Sequence, residues 1–406
     1  MRVWTLSLLL LSCLFVLSGC WDKKELGEFA FPVVIGLDQG EDDLLAVTFQ
    51  IANPLEGALL SGGGTEDVQP SEIITLHAPD FLTARDLANI KVTKDIHFSH
   101  IKTIVVSEQL ASSPTFPDYM QFILRERQLR RNMNIVVSKE KASEFIRNNQ
   151  PQLERRPHKF FELMLARWKQ TGLMPEATVN RFFERMDEGA GLFLANYATA
   201  SEFDRAYRNE DEYVAGEVAI EGGNPTQMIG SAVFRNGVMI GAINGEETRH
   251  SLLLRPNTKS DNMIASFEDP LSKQHRVKTR MLKTKPTSIE IEQGKNQPTV
   301  TVKVPITIEV LGIPSRIDYV ENSENRKLLK AAIEKQLQSK STDLISLMKR
   351  KYKDEPFQWN LTVRSMFVTW PQYEQYDWPS QFQKAKVNVS YEVEITRFGL
   401  QLKPSE

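Results

Sequence analysis

The chain has 406 residues, with 50 Lys and Arg against 52 Asp and Glu and a formal net charge of −2. Because nucleic-acid-binding proteins are usually strongly basic, this near-neutral balance argues against a nucleic-acid partner. Apolar residues make up 41% of the chain and charged residues 25%, which is an ordinary globular composition. The length therefore predicts a globular protein of two or three domains.

The first 19 residues have the pattern of a secretory signal. Arg2 supplies a positive start, and the apolar stretch 3–16 is too short to cross about 30 Å of hydrocarbon comfortably. Leu17-Ser18-Gly19-Cys20 then matches the bacterial lipobox, whose small residues admit the signal peptidase and whose cysteine accepts diacylglycerol. We predict cleavage after the signal peptide 1–19 and anchoring to membrane lipid through Cys20. An ordinary signal that happens to end at a cysteine is the alternative.

The predicted mature chain has 387 residues, by 406 minus 19, and a net charge of about −3 once Arg2 is removed. Its only thiol is that of Cys20, because Cys13 lies within the signal. No disulfide is then possible, so the fold must depend on its apolar core. Later apolar runs such as Ser251-Leu252-Leu253-Leu254 are far too short for a second membrane span.

Residues 20–190 are predicted to form an N-terminal α/β domain. Two strands at 29–37 and 44–51 are followed by alternating helices and strands, which is typical of an α/β layer. The elements predicted after them are helices at 81–89, 118–131 and 139–148, strands at 101–106 and 134–137, and helical segments within 151–189.

A central β-rich domain is predicted for residues 191–258. Apolar segments at 228–234 and 238–243 flank Asn236-Gly237, the dipeptide best suited to a two-residue hairpin. The first strands of the chain could also complete a sheet with this hairpin, which would make one domain discontinuous.

Residues 259–406 are predicted to form a C-terminal α+β domain. Apolar side chains alternate with polar ones along 300–310 and 387–395, which predicts long antiparallel strands with one solvated face. Pro305 indicates an edge strand or a bulge, because it has no N–H to donate. A helix at about 324–351 carries an apolar stripe that would lie on the sheet. The predicted fold class is thus α+β and multi-domain, with mixed or antiparallel sheets and packed helices.

We find no enzyme motif in the sequence. Ser61-Gly62-Gly63-Gly64 is not followed by the Gly-Lys-Ser/Thr of a phosphate loop, and neither Gly-x-Ser-x-Gly nor Ser-x-x-Lys occurs. His97 and His100 have a spacing that can hold a metal on a helix, but they lead into a predicted strand, so structural histidines are favoured over a metal site. No catalytic residue and no cofactor is predicted.

Two further clusters have a structural and a functional interpretation. Arg127, Arg130 and Arg131 would share one side of the helix predicted at 118–131, where they could touch anionic lipid headgroups. A solvated or salt-bridged helix face is favoured. Trp359, Trp370 and Trp378, with Tyr373 and Tyr376, could stack on sugar or sit at a membrane interface, but aromatic packing in the core is favoured.

Several segments in order resemble the Ger(x)C family, the lipoprotein C subunits of spore germinant receptors. Cys20-Trp21-Asp22-Lys23-Lys24-Glu25-Leu26 is similar to the family's opening, in which the lipidated cysteine precedes Trp-Asp-x-x-Glu-Leu. Further segments resemble the family at 33–38, 49–54, 99–111, 232–249 and around Trp370, Trp378 and the last strand. The stretches 61–69 and 353–356 look less typical of it.

The resemblance implies a three-domain lipoprotein on the outer face of the spore inner membrane. Such a subunit acts beside a multispanning A subunit and an integral B subunit in nutrient-triggered germination, and the family does not resolve what it does chemically. Together with the predicted anchor and the absence of a catalytic motif, the resemblance predicts a receptor subunit without enzymatic activity. Only the lipidation of Cys20 carries over by residue. The turn that belongs to the family's central signature is a candidate partner interface, and it comprises Asn244, Gly245, Glu246, Glu247 and Arg249.

Two other functions stay open at this stage. A solute-binding lipoprotein of a membrane transporter fits the size and the anchor, but such proteins repeat βα units through both halves. A lipid-anchored hydrolase acting on cell wall would need a nucleophile or paired carboxylates in a cleft, and the sequence offers none.

Overall fold

The structure is a computed structural model that describes Trp4 and residues 25–42, 44–53, 69–189, 191–201 and 211–399. It has helices packed on one mixed eight-stranded sheet and one mixed five-stranded sheet, which confirms the predicted fold class. Each sheet has its own large apolar core. Apart from Trp4, the signal lies outside the described residues, as do Cys20 and most of the stretch 61–69.

The first sheet has the strand order β10-β9-β8-β7-β6-β2-β3-β4. Its strands, with the small pair β1 and β5, are β1 Phe29–Ala30, β2 Pro32–Gln39, β3 Leu45–Ala52, β4 Ser71–Ala78, β5 Asp95–Ile96, β6 Thr103–Ser107, β7 Asn134–Ser138, β8 Phe193–Thr199, β9 Gln227–Arg235 and β10 Val238–Ile243. Strands β2, β6, β7 and β8 run parallel, and both faces are covered, so their residues are buried almost without interruption.

Helices cover this sheet and connect its strands. They are α1 Phe81–Ala88, α2 Glu108–Ala111, α3 Phe116–Arg125, α4 Ala142–Asn148, α5 Pro157–Ala166, α6 Trp168–Thr171, α7 Val179–Glu188 and α8 Gly245–Leu253, with short 3₁₀ turns at Leu26–Glu28 and Phe98–His100. The predicted alternation of helices and strands is confirmed. So is the hairpin of β9 and β10, whose turn residues Asn236 and Gly237 both have positive φ.

The arginine-rich segment is not helical, contrary to the prediction. Helix α3 ends at Arg125, and Glu126 already has extended backbone angles. Leu129 and Met133 are buried in the first core, and Gln128 accepts a hydrogen bond from the Phe98 N–H at 2.9 Å. These contacts turn the chain toward β7, so Arg127, Arg130 and Arg131 lie on an irregular connection.

The second sheet has the order β11-β12-β14-β13, with β15 paired to β14. Its strands and helices are β11 Ser260–Asp269, β12 Ser272–Lys283, β13 Ser288–Glu292, β14 Thr299–Gly312, α9 Ser323–Leu347, α10 Trp359–Arg364, α11 Trp370–Tyr376, α12 Trp378–Lys384 and β15 Lys386–Arg397, with one π-helical turn at Met348–Tyr352. Helix α9 buries the predicted stripe, including Leu329, Ile333 and Leu337.

Strands β14 and β15 pair in parallel, so the predicted antiparallel arrangement of these two strands is wrong. The long crossover through α9 returns the chain to the starting edge of the sheet, and such a connection produces a parallel pair. Of the two alternatives predicted for Pro305, an edge strand or a bulge, the edge strand is wrong, because β14 is a central strand. Pro305 lies between the residues paired with β13 and those paired with β12, at a gap in the antiparallel ladder.

The first sheet takes strands from both sides of the domain boundary predicted at residue 190. Helix α8 follows β10, the last strand of the first sheet along the chain. It packs on α9, the helix that covers the second sheet. The division into domains at residues 190 and 258 stays a prediction.

Candidate functional site

The turn predicted as a partner interface forms the start of α8. The Asn244 side chain accepts a hydrogen bond from the Glu247 N–H at 2.8 Å, and the Glu247 carboxylate accepts one from the Asn244 N–H at 2.9 Å. This reciprocal pair is a capping box, which satisfies backbone donors that the first helical turn leaves open. Asn244 and Glu247 therefore have a local role in starting the helix.

Gly245 lies where the backbone of another segment comes very close. A Cβ at this position would lie 2.8 Å from the Asp211 carbonyl oxygen and from a side-chain carbon of Ile229. Its N–H donates to the Tyr213 carbonyl at 2.9 Å. The residue is glycine because any side chain would push α8 away from the segment that begins at Asp211.

Arg249 is buried at the junction of three segments. Its guanidinium forms an ion pair with Asp211, and its Nε donates to the Thr171 carbonyl at the end of α6 at 3.0 Å. The side chain of Arg249 is 5% exposed and that of Asp211 is 13% exposed. The pair therefore joins α8, α6 and the segment after residue 210 away from bulk water.

Lys340 of α9 connects α8 to the second sheet. Its ammonium lies 2.9 Å from Glu246 and 2.9 Å from Glu212. These groups border a cavity of about 280 Å³ that β11 and β12 also line. Burial raises the pKa of Glu246 above its usual value, and the Lys340 ammonium opposes that shift.

The five residues of the predicted interface are thus brought together, and all of them are buried or half-buried in contacts within the chain. Their geometry joins the two sheets through α8 and α9. Whether the remaining accessible part of this turn meets a partner stays a prediction.

Sequence reasoning missed a buried polar contact next to this turn. His250 Nδ1 lies 2.9 Å from the Ser341 hydroxyl, which in turn lies 2.6 Å from the hydroxyl of Tyr391 on β15. Burial lowers the pKa of His250 to about 3, so the imidazole is neutral at physiological pH. The three side chains tie α8 to α9 and to the last strand.

A buried acidic pair, Asp354 and Glu355, lies in the stretch that looked less typical of the family. Asp354 accepts the Gly191 N–H at 2.9 Å, and Glu355 accepts the N–H groups of Phe357 and Asn360 at 2.5 and 2.8 Å. The indole of Trp378 also donates to Glu355, at 3.3 Å. The only sequence signal was an acidic pair before Pro356 among aromatic residues.

The titration of Glu355 is expected to make stability depend on pH. Burial and the neighbouring Asp354 raise the pKa of Glu355 to about 7, whereas an unfolded chain has the ordinary value of 4.5. The folded state therefore holds the proton more tightly, and stability falls as pH rises from about 4.5 to about 7. We expect the free energy of unfolding of Glu355→Gln, relative to the unsubstituted chain, to rise by about 2–3 kcal/mol between pH 5 and pH 8.

Denaturant titrations at several pH values test this expectation. The exposed residue Glu290 provides a matched control, since Glu290→Gln removes an equal charge on β13. Its difference profile gives the effect of removing one exposed carboxylate, and the rise for Glu355→Gln should exceed it. His250 acts in the opposite direction, because its lowered pKa in the folded state makes stability fall as pH drops below 6.5. This contribution is the same in the unsubstituted chain and in both variants, so it cancels from the difference profiles. A flat profile for Glu355→Gln would contradict the assignment.

The two histidines considered for a metal contact Ser99 and aromatic rings. The Ser99 hydroxyl lies 2.9 Å from Nδ1 of both His97 and His100, and the His100 ring packs on Phe31 at 4.4 Å. Among the residues that the structure describes, no group of three or more His, Cys, Asp or Glu could hold a metal. Nor does any helix in the described ranges have the length and apolar character to cross a membrane.

The aromatic segment belongs mainly to the second core, as predicted. Trp359 and Trp378 are buried, and Tyr373 lies beside them in the same cluster. Trp370 differs, because 38% of it is exposed and its ring is contacted by the Arg364 guanidinium.

Comparison with protein families identifies the chain. The family described as spore germination protein N-terminal domain matches residues 22–200, and the family described as spore germination B3/GerAC like, C-terminal, matches residues 229–399. The chain belongs to the Ger(x)C family. It is therefore a spore germination protein, and the resemblance predicted from its sequence motifs is confirmed.

Relatives in Bacillus subtilis (strain 168) carry the same general description. Spore germination protein KC is 31% identical over 143 residues, which are 35% of this chain and 35% of that protein. The match thus spans about a third of its length. Spore germination protein YndF is 21% identical over 420 aligned positions that cover 95% of both chains.

The fold is shared with a Ger(x)C protein of known structure. The crystal structure of the GerBC protein matches with a TM-score of 0.53 and 13% sequence identity, over 88% of this chain and 96% of that chain. At this identity the likeness shows the fold alone.

Proposed function

We propose that the chain is a lipid-anchored, non-enzymatic subunit of a nutrient germinant receptor. It is held through Cys20 at the outer face of the spore inner membrane and docks on the integral A and B subunits. The observation that carries the proposal is the family match on both sheets, at residues 22–200 and 229–399, directly after a lipobox.

The buried polar groups support a role without catalysis. The carboxylate of Glu355 accepts two backbone N–H groups and an indole N–H, and His250 contacts the Ser341 hydroxyl. These groups are engaged in contacts that hold the fold together. The chain then contributes a folded surface to an assembly.

Lipidation is tested by Cys20→Ser, with Cys13→Ser in the signal as a matched control. Two acyl chains provide stable anchoring, so their loss should lower the membrane-bound fraction by on the order of tenfold or more. Spores of Cys20→Ser are expected to germinate slowly in nutrients when other germinant receptors are deleted. Cys13→Ser should behave normally. Membrane fractionation and optical density are the measurements, and normal germination of Cys20→Ser would contradict the proposal.

Assembly is tested by affinity purification of the tagged chain from detergent-solubilised spore membranes, with mass spectrometry of what is recovered. We expect one transporter-like and one multispanning integral protein. Recovery of a permease with its ATPase would instead support a solute-binding lipoprotein.

A further inference from the structure

Three connections of the chain meet at one edge of the first sheet. Strands β7, β6 and β2 are neighbours and run parallel, so the residues that precede them lie at the same edge. These residues belong to the segments 25–31, 89–102 and 126–133. We call the surface of these three segments the anchor-side surface, because 25–31 begins five residues after Cys20.

Side-chain contacts join the three segments into one surface. The Phe31 ring packs on His100 with centroids 4.4 Å apart, and the Phe29 ring packs on His97 at 5.3 Å. The Phe98 N–H donates to Gln128 at 2.9 Å. Strands β1 and β5 also pair in parallel, with Phe29 opposite Asp95. The residues just before each of them therefore lie side by side.

The anchor-side surface carries an excess of cationic groups. It has four acidic residues and six exposed lysines and arginines, namely Lys91, Lys94, Lys102, Arg127, Arg130 and Arg131. Within the described ranges, none of these six ammonium and guanidinium groups forms a hydrogen bond or an ion pair. Burial is the largest cause of the lowered pKa of His100, and the positive charge of Arg130 is the second. The second cause is consistent with a positive local field.

Two large aliphatic side chains project from the same surface. Leu26 is 80% exposed and Ile90 is 83% exposed, and Leu87, whose carbonyl accepts the Ile90 N–H at 3.2 Å, is 40% exposed. Leu26 shortly precedes β1 and Ile90 shortly precedes β5, so the parallel pairing of these strands places them on one side. Exposed aliphatic groups on a surface that also carries lysine and arginine are typical of surfaces that enter a membrane interface.

The length of chain before Glu25 limits where a membrane can be. Five peptide steps separate Cys20 from Glu25, and a fully extended chain spans at most about 3.5 Å per residue. If Cys20 carries lipid, Glu25 lies within about 18 Å of the lipid surface. The anchor-side surface then begins closer along the chain to the lipid than the other surfaces of the segments from residue 25 onward.

We propose that the anchor-side surface rests directly on the headgroups of an anionic phospholipid bilayer, with Leu26 and Ile90 inserted at the acyl boundary. This inference rests on the proposed function, since it takes the lipid on Cys20 as the tether. It adds a second contact, which sets the orientation of the domains above the membrane.

The test uses the full lipidated chain in vesicles. A nitroxide label is placed at Ile90→Cys or, as a matched control, at Leu271→Cys, an exposed aliphatic residue in the turn between β11 and β12. In vesicles of phosphatidylcholine with phosphatidylglycerol, the Ile90→Cys label should be reached by oxygen more readily than by a water-soluble nickel complex. The Leu271→Cys label should show the opposite. Equal access of the nickel complex to both labels would overturn the inference and would point to another partner for this surface.

Charge reversal tests whether the positive side chains of the anchor-side surface contribute to the membrane contact. Arg127→Glu with Arg130→Glu should reduce the lipid-inserted population of the Ile90 label by on the order of tenfold or more. Lys295→Glu, in the turn between β13 and β14, with Lys303→Glu on β14 reverses the same number of charges and should leave the population unchanged. Equal effects of the two pairs would contradict a local contact.

The outcomes separate this inference from the proposed function. Mass spectrometry of the N-terminal peptide and flotation of the chain with vesicles report the lipid on Cys20. A chain that carries lipid and floats, but whose Ile90 label stays in water, overturns only the surface contact. A chain without lipid overturns the anchor on which both depend.

Discussion

Arg249→Ala is expected to lower the free energy of unfolding by about 3–5 kcal/mol. The substitution leaves the Asp211 carboxylate, which is 13% exposed, without its guanidinium partner. It also removes the donor to the Thr171 carbonyl at the end of α6. A charge that is taken out of water and then loses its partner is strongly unfavourable, so the effect exceeds that of the lost contact alone. Denaturant titration of the mature chain measures the change.

An exposed pair provides the matched control for this expectation. Arg280 lies 2.9 Å from Glu309, but its side chain is 39% exposed, so Arg280→Ala should cost about 1 kcal/mol or less. A double substitution of Arg249 and Asp211 should cost less than the sum of the single changes, because the two side chains are coupled. If Arg249→Ala and Arg280→Ala cost the same, the buried pair does not hold the junction of α8 and α6.

Trp359→Ala is expected to lower the free energy of unfolding by about 3–5 kcal/mol. Trp359 is fully buried in the second core, where it packs on Phe357 with ring centroids 4.7 Å apart. Its indole N–H donates to the Leu254 carbonyl, just after α8, at 3.1 Å. The substitution therefore leaves a large cavity and an unsatisfied carbonyl where the connection from the first sheet meets the second.

Trp370 tests whether burial is the cause. It lies in the same aromatic segment, but 38% of it is exposed, and Trp370→Ala should cost about 1 kcal/mol. Thermal unfolding followed by circular dichroism compares the two variants. Similar losses for both would mean that the aromatic segment as a whole, and not the buried position of Trp359, determines stability.

Local patterns in the sequence predicted many of the elements correctly. Asn236-Gly237 specified the hairpin because few other dipeptides accept positive φ at both positions. The stripe containing Leu329, Ile333 and Leu337 specified the buried face of α9, since a period near 3.6 is a property of the segment itself. Such features depend on residues close together in the chain.

Pairings between distant segments could not be predicted in this way. The alternation in β14 and β15 reports which side chains are buried, but it is the same for parallel and antiparallel strands. The pattern of arginines after Arg125 fits a helix, yet buried contacts of Leu129 and Met133 end α3 there. In both cases tertiary packing determined the structure, and the local pattern did not.

The candidate site shows the same division. The motifs around Cys20 and residues 244–249 indicated the family. Sequence spacing could not predict the ion pair of Arg249 with Asp211, nor those of Lys340 with Glu212 and Glu246. Asp354 and Glu355 were ordinary acidic residues in the sequence, and their raised pKa values follow from burial that only the fold creates.

The signal and lipobox pattern, the family and the periodic elements can all be predicted from neighbouring residues, because they depend only on local order and residue type. The junction of the two sheets through α8, the burial of the Asp354 and Glu355 carboxylates and the common surface of segments 25–31, 89–102 and 126–133 appear only in the folded chain. Desolvation and charge pairing depend on distances between segments far apart in the sequence, and no local pattern contains those distances.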